Sequence, residues 1–112
     1  MKKIEKDYCD YDTCVALKEL GYNDVTQFFF NKDEVRTPRI PLYEAQKWLR
    51  EKRNVIVLVG FDFCPITSKV VYNWVIVVNG NTARKYSYTY DYYETALDEG
   101  IKKAVKLLKE EK

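Results

Sequence analysis

The sequence predicts an α+β fold: an antiparallel sheet of three to four strands, with helices packed mainly on one face. Three segments repeat apolar residues at helical spacing, and residues 55–63 and 70–78 are two runs rich in β-branched and aromatic residues. Asn79-Gly80 follows the second run and is a strong signal for a β-hairpin. We therefore expect the order α-β-α-β-β-β-α, in which the last strands form a meander.

The composition is that of one globular domain. A chain of 112 residues can bury one core and is too short for two. Hydrophobic residues make up 46% of it and charged residues 32%, unlike the composition of a disordered chain. We assign residues 1–112 to one α+β domain, and we expect the first six or seven, which are mostly charged, to be disordered.

The first two elements are a short helix and an edge strand. Asp10 or Asp12 fits the N-cap of a helix, apolar residues follow at helical spacing, and Gly21 supplies the stop. Residues 25–30 are largely β-branched and aromatic, and they lie between turn-forming segments. We predict a strand there that extends the meander to its fourth strand.

Two further amphipathic helices flank the meander. One begins near Pro41, a residue type favoured at the start of a helix, and ends near Asn54. The other follows Asp91 and Glu94, which have the spacing of a capping box, and its apolar positions continue to Leu108. Because its apolar stripe must be buried, we expect this last helix to cover one face of the sheet.

The loop after the second long strand determines which side chains lie beneath the helices. A loop of two or four residues would place the aromatic residues of neighbouring strands on opposite faces. A three-residue loop, Asn79-Gly80-Asn81, with a bulge gathers them on one face, and we predict this register. The residues that it gathers are Tyr72, Trp74, Ile76, Arg84, Tyr86 and Tyr88.

The opposite face of the sheet is a candidate partner surface. It carries more valine than a solvated face needs, and only the short first helix remains to cover it. We expect it to contact a second copy or another protein; the alternative is an ordinary, half-wet antiparallel sheet. Its residues are Val71, Asn73, Val75, Val77, Lys85, Ser87 and Thr89.

Tyrosines and basic residues support an alternative function. Tyr86, Tyr88 and Tyr90 alternate along the last strand and could stack the bases of a single-stranded nucleic acid, although burial beneath the last helix explains the same pattern. Basic residues near the second helix form a candidate phosphate-binding patch, although cations at a helix C-terminus also complement the helix dipole. The net charge of +2 gives no general preference for nucleic acid. The patch consists of Arg36, Arg39, Lys47, Arg50 and Arg53.

The sequence offers little for catalysis or for metal binding. It contains no histidine, which is the usual general base and the commonest metal ligand. Of its three cysteines only Cys9 and Cys14 are close, and four residues separate them instead of the two typical of zinc knuckles. We predict reduced thiols, no metal and no cofactor. No apolar run approaches the ~20 residues that cross a membrane, so we expect a cytoplasmic location.

The helix end Leu20-Gly21-Tyr22 and the two helix-packing segments 42–51 and 93–108 form a recognisable set. They resemble a family of small uncharacterised proteins of gut Bacteroidetes and their phages. Members of that family usually place Thr or Ser between the proline and the second helix, whereas Pro41 here runs directly into Leu42. The resemblance implies a small accessory protein of bacterial or mobile-element origin with no assigned reaction.

We therefore predict a small, non-enzymatic protein-binding or regulatory module, whose partner is a second copy or another protein. The rival is a weak single-stranded nucleic-acid binder that uses the aromatic strand and the basic helix end. An enzyme ranks third, because no nucleophile, base or metal cluster can be placed in the sequence.

Overall fold

The computed structural model describes residues 8–23, 29–32, 35–85 and 89–110. Within these ranges lie three helices and two antiparallel sheets, and the predicted α+β class is confirmed. The predictions for the first residues, and for Tyr86, Ser87 and Tyr88, lie outside the described part of the chain. The helices are α1 (Tyr11–Glu19), α2 (Leu42–Arg53) and α3 (Tyr93–Glu110). The strands are β1 (Phe29–Lys32), β2 (Val35–Pro38), β3 (Val55–Cys64), β4 (Lys69–Val78) and β5 (Asn81–Lys85).

The first strand differs from its prediction. β1 pairs with β2 in a separate two-stranded sheet, and it does not extend the three-stranded sheet β3-β4-β5 to a fourth strand. The element order is therefore α-β-β-α-β-β-β-α, with a strand that the sequence did not reveal. The sequence around Thr37-Pro38 looks like a break in the chain. Pro38 is instead the last residue of β2, opposite Phe29, where a missing N–H does little harm to the pairing.

The first two helices begin and end at residues with a clear physical reason to stand there. The Asp10 side chain accepts a hydrogen bond from the Thr13 N–H at 2.9 Å and so caps α1. Gly21 follows α1 with a φ of 116°, which a residue with a Cβ rarely adopts. Asn54 ends α2 in the left-handed conformation at a φ of 57°, a conformation that asparagine tolerates better than most residues.

Both α2 and α3 pack against the β3–β4 part of the sheet. Val57 of β3 and Trp74 and Ile76 of β4 are buried in the resulting core. Gly100 of α3 lies directly on this face, because a Cβ added to it would stand 2.7 Å from Val57 Cγ1 and 3.1 Å from Trp74 Cβ. The last helix therefore approaches the sheet more closely than any side chain at Gly100 would allow.

The β4–β5 connection has a shorter loop than predicted. Val78 pairs with Asn81, so the loop consists of Asn79 and Gly80 alone. Their φ values of 52° and 84° suit the two-residue turns that match strand twist. A bulge one pair further on shifts the register, and Ile76 then faces Arg84. The predicted three-residue loop is wrong, because the extra residue sits in the strand and not in the turn. The predicted register beyond the bulge is confirmed at the pair of Ile76 with Arg84.

The end of the β3–β4 hairpin projects beyond β5. The two long strands pair along their whole length, from Val55 opposite Val78 to Cys64 opposite Lys69. Within the described residues, the pairing of β5 with β4 reaches Val75. Beyond it one isolated bridge, between Tyr72 and Tyr90, supports β4. Residues 61–70, the last pairs and the turn between them, form a two-stranded extension that we call the arm.

Candidate functional site

The arm exposes large apolar side chains. Phe61 is 70% exposed, Phe63 61%, Ile66 92% and Val70 45%. Single exposed apolar residues are ordinary on protein surfaces, but a contiguous group of large ones marks a site of interaction. The arm is therefore the strongest candidate for a functional surface in the described part of the chain.

The aromatic face of the arm continues the face that carries the core. Side chains alternate along a strand, so Phe61 and Phe63 lie on the same side of β3 as buried Val57. Opposite Phe61 is Tyr72, whose ring meets the Tyr93 ring edge-on with 6.1 Å between the ring centres. Tyr93 is the first residue of α3, so the cover that this helix gives to the sheet stops at the base of the arm.

The outer edge of β3 is open along the arm. Tyr72 and Tyr90 exchange two backbone hydrogen bonds of 2.8 Å, so the backbone groups of Tyr72 point away from β3. Phe61, opposite Tyr72, then stands in a pair without hydrogen bonds, and its own N–H and C=O point to the free edge. By alternation the same holds for Val59 and Phe63. No described strand pairs with this edge.

Nearer the helices the same edge is closed by a side chain. The Gln46 amide of α2 donates a hydrogen bond of 2.7 Å to the carbonyl of Val57. A further strand added to β3 can therefore pair with Val59 and the arm, whereas pairing at Val57 requires that this hydrogen bond be broken.

The partner surface predicted from the sequence is less exposed than the arm. Val71, Val75 and Val77 are half-buried, and Asn73 is only 6% exposed. Thr89 is exposed, whereas Ser87 and the Lys85 side chain lie outside the described part. The face also carries Leu58, 51% exposed, which the sequence reading left out.

A polar contact lies at the centre of that outer face. The Asn73 amide lies over Gly60, where an added Cβ would come within 2.9 Å of Asn73 Oδ1. Asn73 Nδ2 donates a hydrogen bond of 3.3 Å to Asp62 Oδ2. The absence of a side chain at Gly60 thus makes room for a buried amide, and the centre of this face is not an apolar docking patch.

Three arginines of the predicted basic patch make contacts within the protein. The Arg36 guanidinium lies 3.8 Å from the centre of the Phe29 ring, and that of Arg39 lies over two other aromatic rings at 5.2 and 5.3 Å. Arg53 Nη1 donates a hydrogen bond of 3.0 Å to the Leu20 carbonyl at the end of α1. Three of the five residues of the patch therefore pack against aromatic rings or cap a helix. Its other members, which are exposed on α2, are Lys47 and Arg50.

An ionic cluster joins α1 to α3 beside an open groove of about 510 Å³. Lys102 Nζ lies 3.2 Å from Asp10 Oδ2, 3.3 Å from Asp98 Oδ2 and 3.7 Å from Glu99 Oε2. Burial disfavours the charged form of Lys102, but the charges of Asp98 and Asp10 and their hydrogen bonds with the lysine together outweigh burial and raise the pKa of this lysine. Burial also raises the pKa of Asp98. Of the charged residues that line the groove, Asp10 and Lys102 are thus paired with each other, and Lys109 pairs with Glu19 of α1.

The three cysteines are free. Cys9 and Cys14 are buried, and the Ile40 N–H donates a hydrogen bond of 3.4 Å to Cys14 Sγ. The hydrogen bond with Cys14, together with burial, raises the pKa of the Cys9 thiol. Cys64 is half-exposed on the arm, where a hydrogen bond with the Thr67 side chain lowers its pKa. Among the described residues no group of three histidine, cysteine or acidic side chains is placed to hold a metal ion.

Comparisons with known proteins add no name to this site. Neither a protein-family model, nor a curated protein, nor a solved structure matches the chain. The resemblance to the Bacteroidetes and phage family stays a prediction. In the described ranges no helix combines the length and the apolar character needed to cross a membrane.

Proposed function

We propose that this protein is a small, non-enzymatic protein-binding module of bacterial or mobile-element origin, and that the arm is the surface that meets its partner. The exposed face of the arm carries this proposal. Phe61, Phe63, Ile66 and Val70 are each at least 45% exposed; the first two and Val70 share one face of the hairpin, and Ile66 lies in its turn. Aromatic residues concentrated in one patch are the usual centre of a protein–protein interface.

The charge of the arm favours a polypeptide over a nucleic acid. Asp62 and Lys69 are the only charged residues between positions 61 and 70, and their charges cancel. Binding of single strands requires a groove of positive charge beside the stacking rings, because phosphate contacts supply most of the affinity. The residues next to the aromatic rings of the arm in sequence do not supply the positive charge that such a groove needs.

Strand addition is the binding mode that fits the arm. The backbone N–H and C=O groups of Phe61 and Phe63 point to the free edge of β3. In strand addition such groups supply affinity, and alternate side chains supply specificity. An extended segment that pairs with this edge would also lie against the rings of both residues on the helix-bearing face.

Site-specific photo-crosslinking tests the proposal. A benzoylphenylalanine at Phe63, which is 61% exposed, is compared in bacterial cells with one at Tyr43 of α2, which is 64% exposed. We expect an adduct of a defined polypeptide at Phe63 alone. Excess wild-type protein should compete for it, and excess Phe61→Lys protein should not. Equal adducts at both positions, or none at Phe63, would contradict the proposal.

A further inference from the structure

We infer that the occupant of the open β3 edge is a second copy of this chain, paired antiparallel about a two-fold axis at Phe61. The inference rests on the proposed function of the arm as a protein-binding surface. Pairing of this kind would join the two three-stranded sheets into one continuous sheet of six strands.

The composition of β3 leaves its edge unprotected. The strand has ten residues, VIVLVGFDFC, with no lysine or proline and with a single charge at Asp62. Its pairing with β4 is regular along its whole length. Natural edge strands are usually short, bulged or marked by Lys or Pro, because their free backbone groups otherwise pair with another chain. β3 has none of these protections.

The hydrogen-bonding pattern of β3 restricts the register. Only alternate residues point their backbone groups to the free edge, and the Val57 carbonyl is already bound by Gln46. Between Val57 and the end of the arm, Val59, Phe61 and Phe63 remain. A two-fold arrangement that pairs all three is centred on Phe61, with Phe61 opposite its own counterpart and Val59 opposite Phe63 of the second copy.

The one charge of the strand supports this register over its neighbours. With the axis at Phe61, Asp62 stands opposite Gly60 of the second copy, so no like charges meet. An axis at Asp62 would set two aspartates against each other and bring Pro65, which has no N–H, into the ladder. An axis at Gly60 would pair Val57 and break its bond with Gln46.

The apolar area predicts a reversible dimer. Phe61 and Phe63 are 70% and 61% exposed, and at about 200 Å² per aromatic side chain they offer about 260 Å² per copy. That is about a third of the ~800 Å² that each partner buries in a standard interface. The remainder comes from the strand backbone and the other apolar residues of the arm, so we expect dissociation in the micromolar range.

Sedimentation velocity of the full chain between about 1 and 500 μM tests the pairing. We expect wild type to dimerise, and Phe61→Lys and Phe61→Asp each to dimerise at least about tenfold more weakly, because like charges then meet at the axis. An equimolar mixture of the two variants should recover the dimer, because the introduced lysine and aspartate then meet across the axis with opposite charges. Such recovery requires that position 61 of one copy lies opposite position 61 of the other. Lys103→Asp, which reverses an exposed charge on α3 and leaves β3 unchanged, should dimerise like wild type.

Several outcomes would overturn the inference. If wild type stays monomeric at every concentration, the chain does not pair with itself. If Phe63 still crosslinks to a foreign polypeptide in that case, the proposed protein-binding function stands and only the dimer is excluded. A dimer that is unaffected by either Phe61 variant, or one that Lys103→Asp weakens as much as they do, does not use this edge. Variants that dissociate singly but do not recover on mixing exclude the register centred on Phe61.

Discussion

Replacing Gly100 by alanine should destabilise the protein, although alanine is the better helix former. In a helix interior alanine is favoured over glycine by about 1 kcal/mol. The added Cβ would stand 2.7 Å from Val57 Cγ1 and 3.1 Å from Trp74 Cβ. Both residues are buried, at 0% and 5% exposure, so neither side chain can move into solvent. Overpacking of this kind costs about 1–3 kcal/mol, and we expect Gly100→Ala to be less stable by about 1 kcal/mol.

Urea denaturation followed by tryptophan fluorescence measures this difference. Lys103→Gly is the matched control, because Lys103 is exposed in the same helix. Glycine there lowers the helix propensity without changing the packing of α3 against the sheet. We expect the control to lose about 0.7–1 kcal/mol. A Gly100→Ala protein that is more stable than wild type by about the propensity difference would refute the close approach of α3 to the sheet.

Two further predictions concern the thiols and the cap of α1. Cys64 should react with a disulfide reagent in the folded protein, whereas Cys9 and Cys14 should react only on unfolding, because both are buried. Reaction of two or more thiols per folded chain would contradict the burial of Cys9 and Cys14. Asp10→Ala should cost about 1 kcal/mol through the lost N-cap, and Asp10→Asn clearly less. Burial raises the pKa of Asp10, but the hydrogen bonds with Thr13 and the contact with Lys102 outweigh it and lower the pKa from 3.8. Its contribution to stability is therefore present above pH 3.8 and lost as the pH falls through the lower folded-state pKa. If the free energy of unfolding of Asp10→Ala, measured by urea titration, stays below that of wild type by the same amount down to about pH 2.5, this explanation is wrong.

Local sequence signals predicted the features that local physics decides. Asp10 precedes its helix as an N-cap should, and Gly21 and Asn54 end theirs with positive φ values. These residues act through their own backbone conformation or through a partner three positions away. A single sequence therefore contains the information needed to place them.

The features that the sequence did not reveal depend on distant residues. Pro38 reads as a break in the chain, yet it closes a strand once Phe29 lies opposite. The need to bring the aromatic residues to one face predicts a bulge at this hairpin, but no local signal places its extra residue in β5 and not in the turn. The contact of Arg36 with an aromatic ring is equally non-local.

The arm illustrates the same limit at the candidate site. Val57 and Phe61 lie on one face of one strand and belong to the same apolar alternation. One is buried and the other is 70% exposed only because α3 begins beside Tyr72 and not further along the hairpin. The sequence of the arm itself carries no signal for this boundary, because the start of α3 sets it.

Amide hydrogen exchange at Phe61 reports whether the β3 edge along the arm is a pairing surface. The Phe61 N–H points to the free edge, whereas the Gly60 N–H points to β4 and serves as an internal reference. We predict that exchange at Phe61 slows at least about tenfold between about 10 and 500 μM protein, while exchange at Gly60 stays slow throughout. A Phe61 amide that exchanges at the same rate at every concentration, alone and with the crosslinked partner, would show that this edge is not a pairing surface.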